Sequence, residues 1–221
     1  MNVSDAIVAR KSVRQFLDKA VDKELIKHIL NIAKWAPSGT NTQPWEVYVL
    51  QGQQKQALDK ELISCFESGE PAAMEYHYYP EEWHQPYQSR RRECGLAMYS
   101  ALNITRQDKE RRQVQWALNY SAFDAPVVLF FTIDKSLESG SYFDYGMFYQ
   151  SLMLAAVDQG LATCPQAALA EYPKTVKKAL GIPDHKILLC GLALGYEDTA
   201  APVNNYRTSR IELDEFVTFV E

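Results

Sequence analysis

The stretch PVVLFFTI, from Pro126 to Ile133, is apolar almost throughout. Such a run of β-branched and aromatic residues is typical of a strand that is buried on both faces. A second run of this kind extends from Ile187 to Leu194, and Phe143 to Gln159 is predicted to form a long helix that is apolar nearly all round. Two buried strands and an apolar helix predict a small sheet that many helices cover.

The remaining segments supply those helices and further strands. Asp22 is predicted to cap a helix in which Leu25, Ile26 and Ile29 recur at helical spacing, and Pro37 ends it. Other helices are predicted at Gln53–Ser68, at Asp108–Tyr120, at Pro173–Leu180 and from a Ser89 cap to about Ala101, with strands at Trp45–Leu50 and Phe216–Val220. No repeat or linker interrupts the pattern, so the sequence predicts a single α+β domain over residues 1–221.

Composition and charge exclude several classes of protein. Hydrophobic residues make up 47% of the chain, which indicates a globular protein rather than a disordered one. The net charge of −5 opposes a nucleic-acid or membrane-surface partner. The first residues show no cationic region followed by an apolar stretch, so we expect no signal peptide. The four cysteines lack metal-binding or redox spacing. We therefore expect a cytoplasmic protein without a metal site.

Common nucleotide-binding and hydrolytic motifs do not occur. The sequence contains no G-x-G-x-x-G after a strand, no G-x-x-x-x-G-K-S/T, no G-x-S-x-G and no H-E-x-x-H. A Rossmann dinucleotide site, a P-loop, an α/β-hydrolase nucleophile and a zinc-protease site are therefore not indicated.

The five residues RKSVR, Arg10 to Arg14, place three cations and a hydroxyl together near the N-terminus. In an extended segment Arg10, Ser12 and Arg14 point to one side, and Val13 points to the other. Two guanidinium groups that flank a hydroxyl suit a phosphate, because each donates paired hydrogen bonds to oxygen. A solvated surface turn explains the run equally well, so a phosphate site needs partners elsewhere in the chain.

Three further stretches are candidates for such partners. In APSGTNTQPW, Ala36 to Trp45, small residues allow close approach of a flat ligand, and Asn41 and Gln43 can hydrogen-bond a ring edge. A plain loop between a helix and a strand is the alternative for this stretch. GLATCPQAA, Gly160 to Ala168, follows the apolar helix directly, and NNYRTSRIELDEF, Asn204 to Phe216, adds two arginines.

Together and in this order, the four stretches resemble the FMN-dependent nitroreductase family. RKSVRQF is similar to its R-x-S-x-R-x-F opening, APSGTNTQPW to its A-P-S-x-x-N-x-Q-P-W segment, GLATCPQ to its G-L-x-T-C-P-Q and RTSRIELDEF to its closing R-x-x-L-D-E segment. The match extends from Ala6 to Val220, and YPEEWHQPYQSRRRECG resembles the branch that includes nitrobenzoate reductases. The resemblance implies a nitroreductase-like fold, with a small mixed or antiparallel sheet covered by helices, and a homodimer whose C-terminal strand is exchanged with the partner subunit.

The resemblance also implies a cofactor site. Two FMN molecules would lie at the subunit interface, each held by both chains. Arg10 and Ser12 would bind the phosphate, and Lys11 would contribute main chain. Arg14 would reach the phosphate or the pyrimidine edge of the ring. Arg210 would be a second phosphate arm, with Arg207 as its neighbour, although which of the two contacts phosphate is left open.

Other parts of the chain would surround the flavin ring. The partner subunit would contribute Pro37, Ser38 and Asn41. The region near the flavin N5 would be lined by Cys164, Pro165, Gln166 and Ala167. The family often has glycine after its Pro-x position, so Ala167 leaves the main-chain contact there open.

The activity that the resemblance implies is reduction of a small aromatic acceptor, a nitroaromatic compound such as a nitrobenzoate, or a quinone. NADH or NADPH would donate the electrons, and donor and acceptor would occupy the same place in turn, by ping-pong hydride transfer. No side chain is then required as a nucleophile. Two alternatives stay open, a specialised flavin enzyme of the same fold, such as a dehalogenase or a flavin-modifying enzyme, and a non-enzymatic anion-binding protein.

The cluster QSRRRECG follows an aromatic segment and suggests a substrate subsite. With a Ser89 cap, Arg90, Arg91 and Arg92 fill the first helical turn, where the helix dipole disfavours each cation by about 0.3–1 kcal/mol. We expect at least one of them at the mouth of the site, beside Tyr87, to attract a carboxylate or a donor phosphate. Solvation, or pairing with nearby glutamates, is the alternative. An aromatic lid would be formed by Tyr76, Tyr78, Tyr79, Trp83 and Tyr87.

Overall fold

The run from Pro126 to Ile133 forms an inner strand of the sheet in the computed structural model, which describes residues 1–221. The strands are β1 (Glu46–Gln51), β2 (Val127–Asp134), β3 (Ala162–Gln166) and β4 (Lys186–Gly195). Their order is β1-β2-β4-β3, and every neighbouring pair is antiparallel. The α+β prediction is confirmed, and of the two kinds of sheet allowed, the antiparallel one is observed.

Seven α-helices surround this sheet. They are α1 (Val3–Ala9), α2 (Lys23–Ala33), α3 (Gly52–Glu67), α4 (Tyr87–Ala101), α5 (Lys109–Ala117), α6 (Ser139–Asp158) and α7 (Pro173–Leu180). Asp22 caps α2 as predicted, because its carboxylate accepts a hydrogen bond from the Glu24 amide. Helix α7 ends as predicted at Gly181, which adopts the left-handed conformation that favours glycine. No helix combines the length and apolarity needed to cross a bilayer.

Strand β2 is apolar throughout because both of its faces are buried. Val127, Leu129 and Phe131 pack in one core with residues of α2 and α6. Val128 and Phe130 point the other way, into a second core with residues of α3 and α7. The sheet therefore separates two hydrophobic layers, which explains why the sequence run shows no alternation of polar and apolar residues.

Several predicted boundaries were wrong. Helix α6 begins at Ser139, four residues before the predicted start. Helix α4 begins at Tyr87, and the Ser89 hydroxyl donates to the Gln85 side chain instead of capping the helix. Arg90 is consequently the fourth residue of α4. It therefore lies beyond the first three helical positions, where the helix dipole was expected to disfavour the cations.

Two strand predictions also need correction. Strand β3 was not predicted as a strand, because its five residues ATCPQ contain a proline and only one β-branched residue. Pro165 is tolerated there because β3 is an edge strand, paired only with β4. The terminal segment Phe216–Val220 forms no strand within the chain. Its exchange with a partner subunit stays a prediction.

A β-bulge in β4 shapes the region beside the sheet. Phe131 pairs with Cys190 and Thr132 with Leu188, so Leu189 is the extra residue. The Leu189 carbonyl accepts a hydrogen bond from the Tyr76 hydroxyl at 2.5 Å, and the Leu188 amide donates to the Glu75 carboxylate at 2.9 Å. The main-chain groups at the bulge thus bind Glu75 and Tyr76, at the start of the aromatic segment that extends from Tyr76 to Tyr87.

Gly191 marks a close approach between β4 and the chain that follows β3. A Cβ added at Gly191 would lie 2.8 Å from the Cβ of Leu169, which is fully buried. We expect Gly191→Ala to lower the free energy of unfolding by about 1–3 kcal/mol through overpacking. Denaturant titration of the purified variant measures this. Gly140→Ala, in α6, is the control because no atom lies within 4 Å of the added methyl group, and equal stability of the two variants would contradict the prediction.

Candidate functional site

The N-terminal motif lies along the free edge of β3. Helix α1 ends at Ala9, and Arg10 has extended backbone angles of φ −56° and ψ 128°. Ser12 forms a single parallel bridge with Thr163, and the Val13 amide donates to the Thr163 carbonyl at 2.9 Å. Val13 is buried, whereas the flanking cations are half-buried. The contact brings RKSVR beside the TCPQ segment, about 150 residues away in sequence.

Asn204 fastens this motif to the C-terminal segment. Its side-chain oxygen accepts from the Arg14 amide at 2.8 Å, and its side-chain nitrogen donates to the Gln15 carbonyl at 2.8 Å. The Lys11 ammonium donates to the Asn204 carbonyl at 2.6 Å and pairs with Glu197 at 2.7 Å. The Lys11 charge is therefore neutralised within the chain, which leaves its main chain for a ligand. Sequence reasoning singled out the stretch that contains Asn204 but not this residue, because its burial depends on the tertiary contact.

Three arginines from the two ends of the chain lie close together without a carboxylate. Burial lowers the pKa of the Arg10 guanidinium, and the positive charges of Arg210 and Arg207 lower it further. None of the three forms an ion pair within the chain. A group of like charges with no internal counter-charge is a candidate anion site.

Arg207 and Arg210 differ in what they contact. The Arg207 guanidinium donates to the carbonyls of Ala9, at 3.0 Å, and of Val8 and Arg10. It therefore caps the last turn of α1, where main-chain carbonyls lack helical partners. The Arg210 guanidinium donates only to Thr208 and Ser209 in its own turn. Arg210 is the one whose guanidinium can turn toward a ligand without releasing a distant part of the fold.

A cavity of about 1020 Å³ lies beside the end of β3. Arg14 lines it, donating to the Tyr206 hydroxyl at 3.1 Å, with its guanidinium carbon 6.0 Å from the Phe123 ring centre. Gln166 lines it as well and donates to the Asn119 carbonyl at 2.9 Å. The buried side-chain oxygen of Gln166 has no partner, and neither has the Thr163 hydroxyl. Of these two residues only Gln166 lines the cavity, so its unpaired oxygen marks a place where a ligand can donate a hydrogen bond.

A second cavity, of about 660 Å³, lies on the other side of a shared wall. Pro165, Gln166 and Ala167 line both cavities. The aromatic segment also contributes to both, since Tyr79 faces the larger one, whereas Tyr76 and Tyr78 face the smaller one. Cys164 lines the larger cavity only.

The thiols near this wall are not nucleophiles at neutral pH. Burial raises the pKa of the Cys164 thiol to about 11, against the opposing effect of Arg14 and Arg10. Burial likewise raises the pKa of the Cys190 thiol to about 12. Both groups are therefore protonated, and a thiol is a weak nucleophile compared with a thiolate. No group of three or more His, Cys, Asp or Glu side chains is arranged to hold a metal ion.

The loop of APSGTNTQPW faces away from both cavities. Ser38 accepts a hydrogen bond from the Gln43 amide at 3.0 Å, and the Gly39 amide donates to Asp144 of α6 at 3.1 Å. Thr40 and Asn41 are left-handed, at φ 48° and 60°, a conformation that costs energy without glycine. Pro37 and Asn41 are exposed, and neither they nor Ser38 line the cavities. Their contact with the flavin of a partner subunit stays a prediction.

Only one of the three predicted substrate residues, Arg91, lines the larger cavity. Arg91 lines the larger cavity, with its guanidinium carbon 5.1 Å from the Trp83 ring centre, and Arg92 also lines it. Arg90 and Tyr87 do not line it, and Arg90 lies 3.8 Å from Glu215. Sequence reasoning missed several lining residues that come from segments without a motif: Tyr99, Arg106, Arg112, Trp116, Asn119, Phe123 and Glu171. It also missed Tyr206, which lies within the C-terminal motif.

Comparisons with known proteins find relatives over nearly the whole chain. A sequence model described as the nitroreductase family matches residues 7–196. The chain is 38% identical to a chloronitrobenzene nitroreductase of Comamonas testosteroni over 99% of this chain and 96% of that one. It is 39% identical to a 4-nitrobenzoate reductase of Pseudomonas putida over 98% and 95%.

Solved structures give the same result. The FMN and NADPH-dependent nitroreductase NfnB from Sphigopyxis sp. strain HMH superposes with a TM-score of 0.97 at 40% identity, over 100% of both chains. The FMN-dependent nitroreductase NfnB from Mycobacterium smegmatis, solved in complex with NADPH, gives 0.94 at 32% identity, over 99% of this chain and 97% of that one. The chain therefore belongs to the nitroreductase family.

Proposed function

We propose that this protein is an FMN-dependent oxidoreductase that uses NADPH or NADH to reduce nitroaromatic compounds, nitrobenzoates among them. Residues 1–221 act as one domain, and two subunits form the working enzyme. The observation that carries the proposal is the group of unneutralised arginines beside β3, next to a cavity that ends on Pro165, Gln166 and Ala167. When bound, FMN supplies the hydride transfer that amino-acid side chains cannot perform.

The group of cations suits the phosphate of FMN. Arg10 and Arg210 carry charges that no carboxylate of the chain offsets, and the Ser12 hydroxyl adds a donor on the same segment. Arg207 supports this group by holding the carbonyls at the end of α1. We therefore assign the phosphate contacts to Arg10, Ser12 and Arg210, with the Lys11 main chain beside them.

The wall of the cavity suits the ring of FMN. Arg14 offers a fixed positive charge at the ring edge, because its guanidinium is steadied by Tyr206. The unpaired oxygen of Gln166 accepts from a ring N–H group, and Pro165 and Ala167 provide an apolar face beside it. Protonated Cys164 fills space without reacting. Pro37, Ser38 and Asn41 come from the partner subunit.

Exposed apolar side chains support a homodimer. In the single chain Trp35 is 84% exposed, and Phe143, which lies on α6, is 79% exposed. Met147 lies on the same helix and is also exposed. Exposed apolar side chains of this size are typical of residues that a protein interface covers. The four unpaired cysteines are in keeping with a reducing compartment such as the cytoplasm, where we expect the protein to act.

The proposed function is tested by the visible absorption spectrum of the purified protein. The purified protein, supplied with FMN and then freed of excess, is expected to retain the absorption band of oxidised flavin. Under anaerobic conditions NADPH or NADH should bleach this band, and 4-nitrobenzoate or nitrobenzene should restore it. A protein that retains no flavin contradicts the proposal. A protein that is bleached by the donor, but whose colour no nitroarene restores, is instead a specialised flavin enzyme of the same fold.

A further inference from the structure

The larger cavity carries more positive charge than an FMN site uses. Its guanidinium groups belong to Arg14, Arg91, Arg92, Arg106 and Arg112, and its only carboxylate belongs to Glu171. That carboxylate accepts a hydrogen bond from the Tyr120 hydroxyl at 2.5 Å. The cavity is thus strongly cationic, in a protein whose net charge is −5. Such a cavity concentrates anions.

The arginines of α4, α5 and the intervening loop fall into two groups, those that pair with carboxylates and those that line the cavity. Arg90 pairs with Glu215, and Arg111 pairs with Asp108 and donates to the carbonyls of Leu102 and Asn103. The cavity-lining arginines of α4, α5 and the loop between them make no ion pair and no side-chain hydrogen bond: Arg91, Arg92, Arg106 and Arg112. All four of these residues are exposed to solvent, so their guanidinium groups are accessible to a ligand that enters the cavity.

The FMN phosphate does not account for these charges. Its proposed ligands, Arg10 and Arg210, lie in a separate group and do not line the cavity. Arg14 is the one cationic residue of the cavity that the proposed flavin site uses. Four guanidinium groups are therefore left for a ligand other than FMN.

Aromatic side chains accompany these cations. The guanidinium carbon of Arg112 lies 4.9 Å from the Tyr99 ring centre, and Trp116 lies one helical turn further along α5. Tyr79 lines the same cavity. A flat ring that carries an anionic group matches both kinds of side chain, because rings stack on the aromatic residues and guanidinium groups pair with carboxylate or phosphate oxygen.

We infer that Arg91, Arg92, Arg106 and Arg112 form an anion subsite, which selects reactants that carry a carboxylate or phosphate on or near an aromatic ring. The inference rests on the proposed function for the identity of the reaction, and it adds the chemical class that this enzyme prefers. The anion has two possible sources, the carboxylate of a nitrobenzoate acceptor or the phosphates of the dinucleotide donor. In this inference, α4, α5 and the loop between them determine which reactant is preferred, and the residues beside β3 that bind FMN do not.

Two double variants test the subsite. Arg91→Gln/Arg92→Gln removes the α4 charges, and Arg106→Gln/Arg112→Gln removes the charges at and before α5. The control is Lys23→Gln/Lys109→Gln, which changes the net charge equally at exposed lysines that do not line the cavity. Calorimetry on the FMN-loaded proteins measures the dissociation constants of benzoate and of inorganic pyrophosphate. Steady-state kinetics compare 4-nitrobenzoate with nitrobenzene, and NADPH with NADH.

At least one double variant is expected to raise the dissociation constant of one probe about fivefold, as solvent-accessible charge pairs allow. A matching rise in KM for 4-nitrobenzoate, with that for nitrobenzene unchanged, identifies the acceptor carboxylate as the source. A rise confined to the donor identifies its phosphates. The inference is overturned if the wild type binds neither probe, or if both double variants match the control.

The same experiment separates this inference from the proposed function. A wild type that holds no flavin, or that leaves nitrobenzene unreduced, contradicts the proposed function. Calorimetry with benzoate and pyrophosphate still measures anion binding in that protein as purified. A wild type that reduces nitrobenzene, while its arginine variants behave as the control does, removes the subsite and leaves the proposed function in place.

Discussion

Arg10→Gln is expected to raise the dissociation constant for FMN about 10- to 150-fold, while leaving the flavin-free protein as stable as the wild type or more stable. The loss of affinity follows from removing a charge-assisted bond to phosphate, worth about 1.5–3 kcal/mol. The retained stability follows from the surroundings of Arg10, because burial and two neighbouring arginines disfavour its charged form in the folded protein. Without a bound anion, that charge opposes folding.

Flavin fluorescence titration and thermal unfolding of the flavin-free protein measure the two effects. Arg207→Gln is the comparison, because it removes bonds to the carbonyls of Val8, Ala9 and Arg10 and is expected to lower the melting temperature without flavin. If Arg10→Gln loses as much flavin-free stability as Arg207→Gln, Arg10 is a structural residue and the phosphate assignment is wrong. An unchanged dissociation constant leads to the same conclusion.

If the proposed homodimer forms through the C-terminal tail, deleting residues 213–221 is expected to leave a monomer and to abolish retention of FMN. The deleted tail exposes Leu213, Phe216, Phe219 and Val220 by 60, 62, 79 and 93% of their surface in the single chain. Strand β1 is the other edge of the sheet and has β2 as its only neighbour, so it offers free main-chain groups to an added strand. The deletion retains Arg207 and Arg210, so it changes the interface rather than the arginine group.

Light scattering at low micromolar concentration, together with flavin content, measures this effect. Phe219→Asp tests the same contact with a single substitution, in case the deletion impairs folding. Thr218→Asp is the matched control, because neighbouring residues of an extended segment point in opposite directions. A deletion variant that remains a flavin-loaded dimer would show that the tail is not part of the interface.

The framework of the fold was predictable from sequence because it depends on local pattern. The two inner strands, the Asp22 cap and the Gly181 stop follow from apolar runs and from residues with strong conformational preferences. Strand β3 was not predictable in this way, since Pro165 lowers its strand propensity and its pairing with β4 alone defines it. The predicted Ser89 cap was wrong because α4 begins two residues earlier, at Tyr87, so Ser89 lies inside the helix.

The family was recognised from four motifs, and the comparisons confirm it. The motifs also identified the arginines that lie beside β3, but they did not predict the separate contact that each arginine makes. The separate contacts of Arg207 and Arg210 depend on which main-chain carbonyls lie nearby, and no spacing rule encodes that. Arg106 and Arg112 were not predicted as cavity residues because they belong to ordinary charged segments, and only the tertiary position of these segments brings them to the cavity.

The bulge at Leu189 makes one amide proton a reporter for the aromatic segment. The Leu188 amide donates to the carboxylate of Glu75, so the segment that contains Glu75 shields this proton. Its exchange with deuterium therefore measures how often the segment that walls the two cavities lifts from the sheet, whereas strand amides of β2 report unfolding of the core. A ligand that seals the cavities would slow exchange at Leu188 selectively, which gives a readout of occupancy that needs neither colour nor turnover.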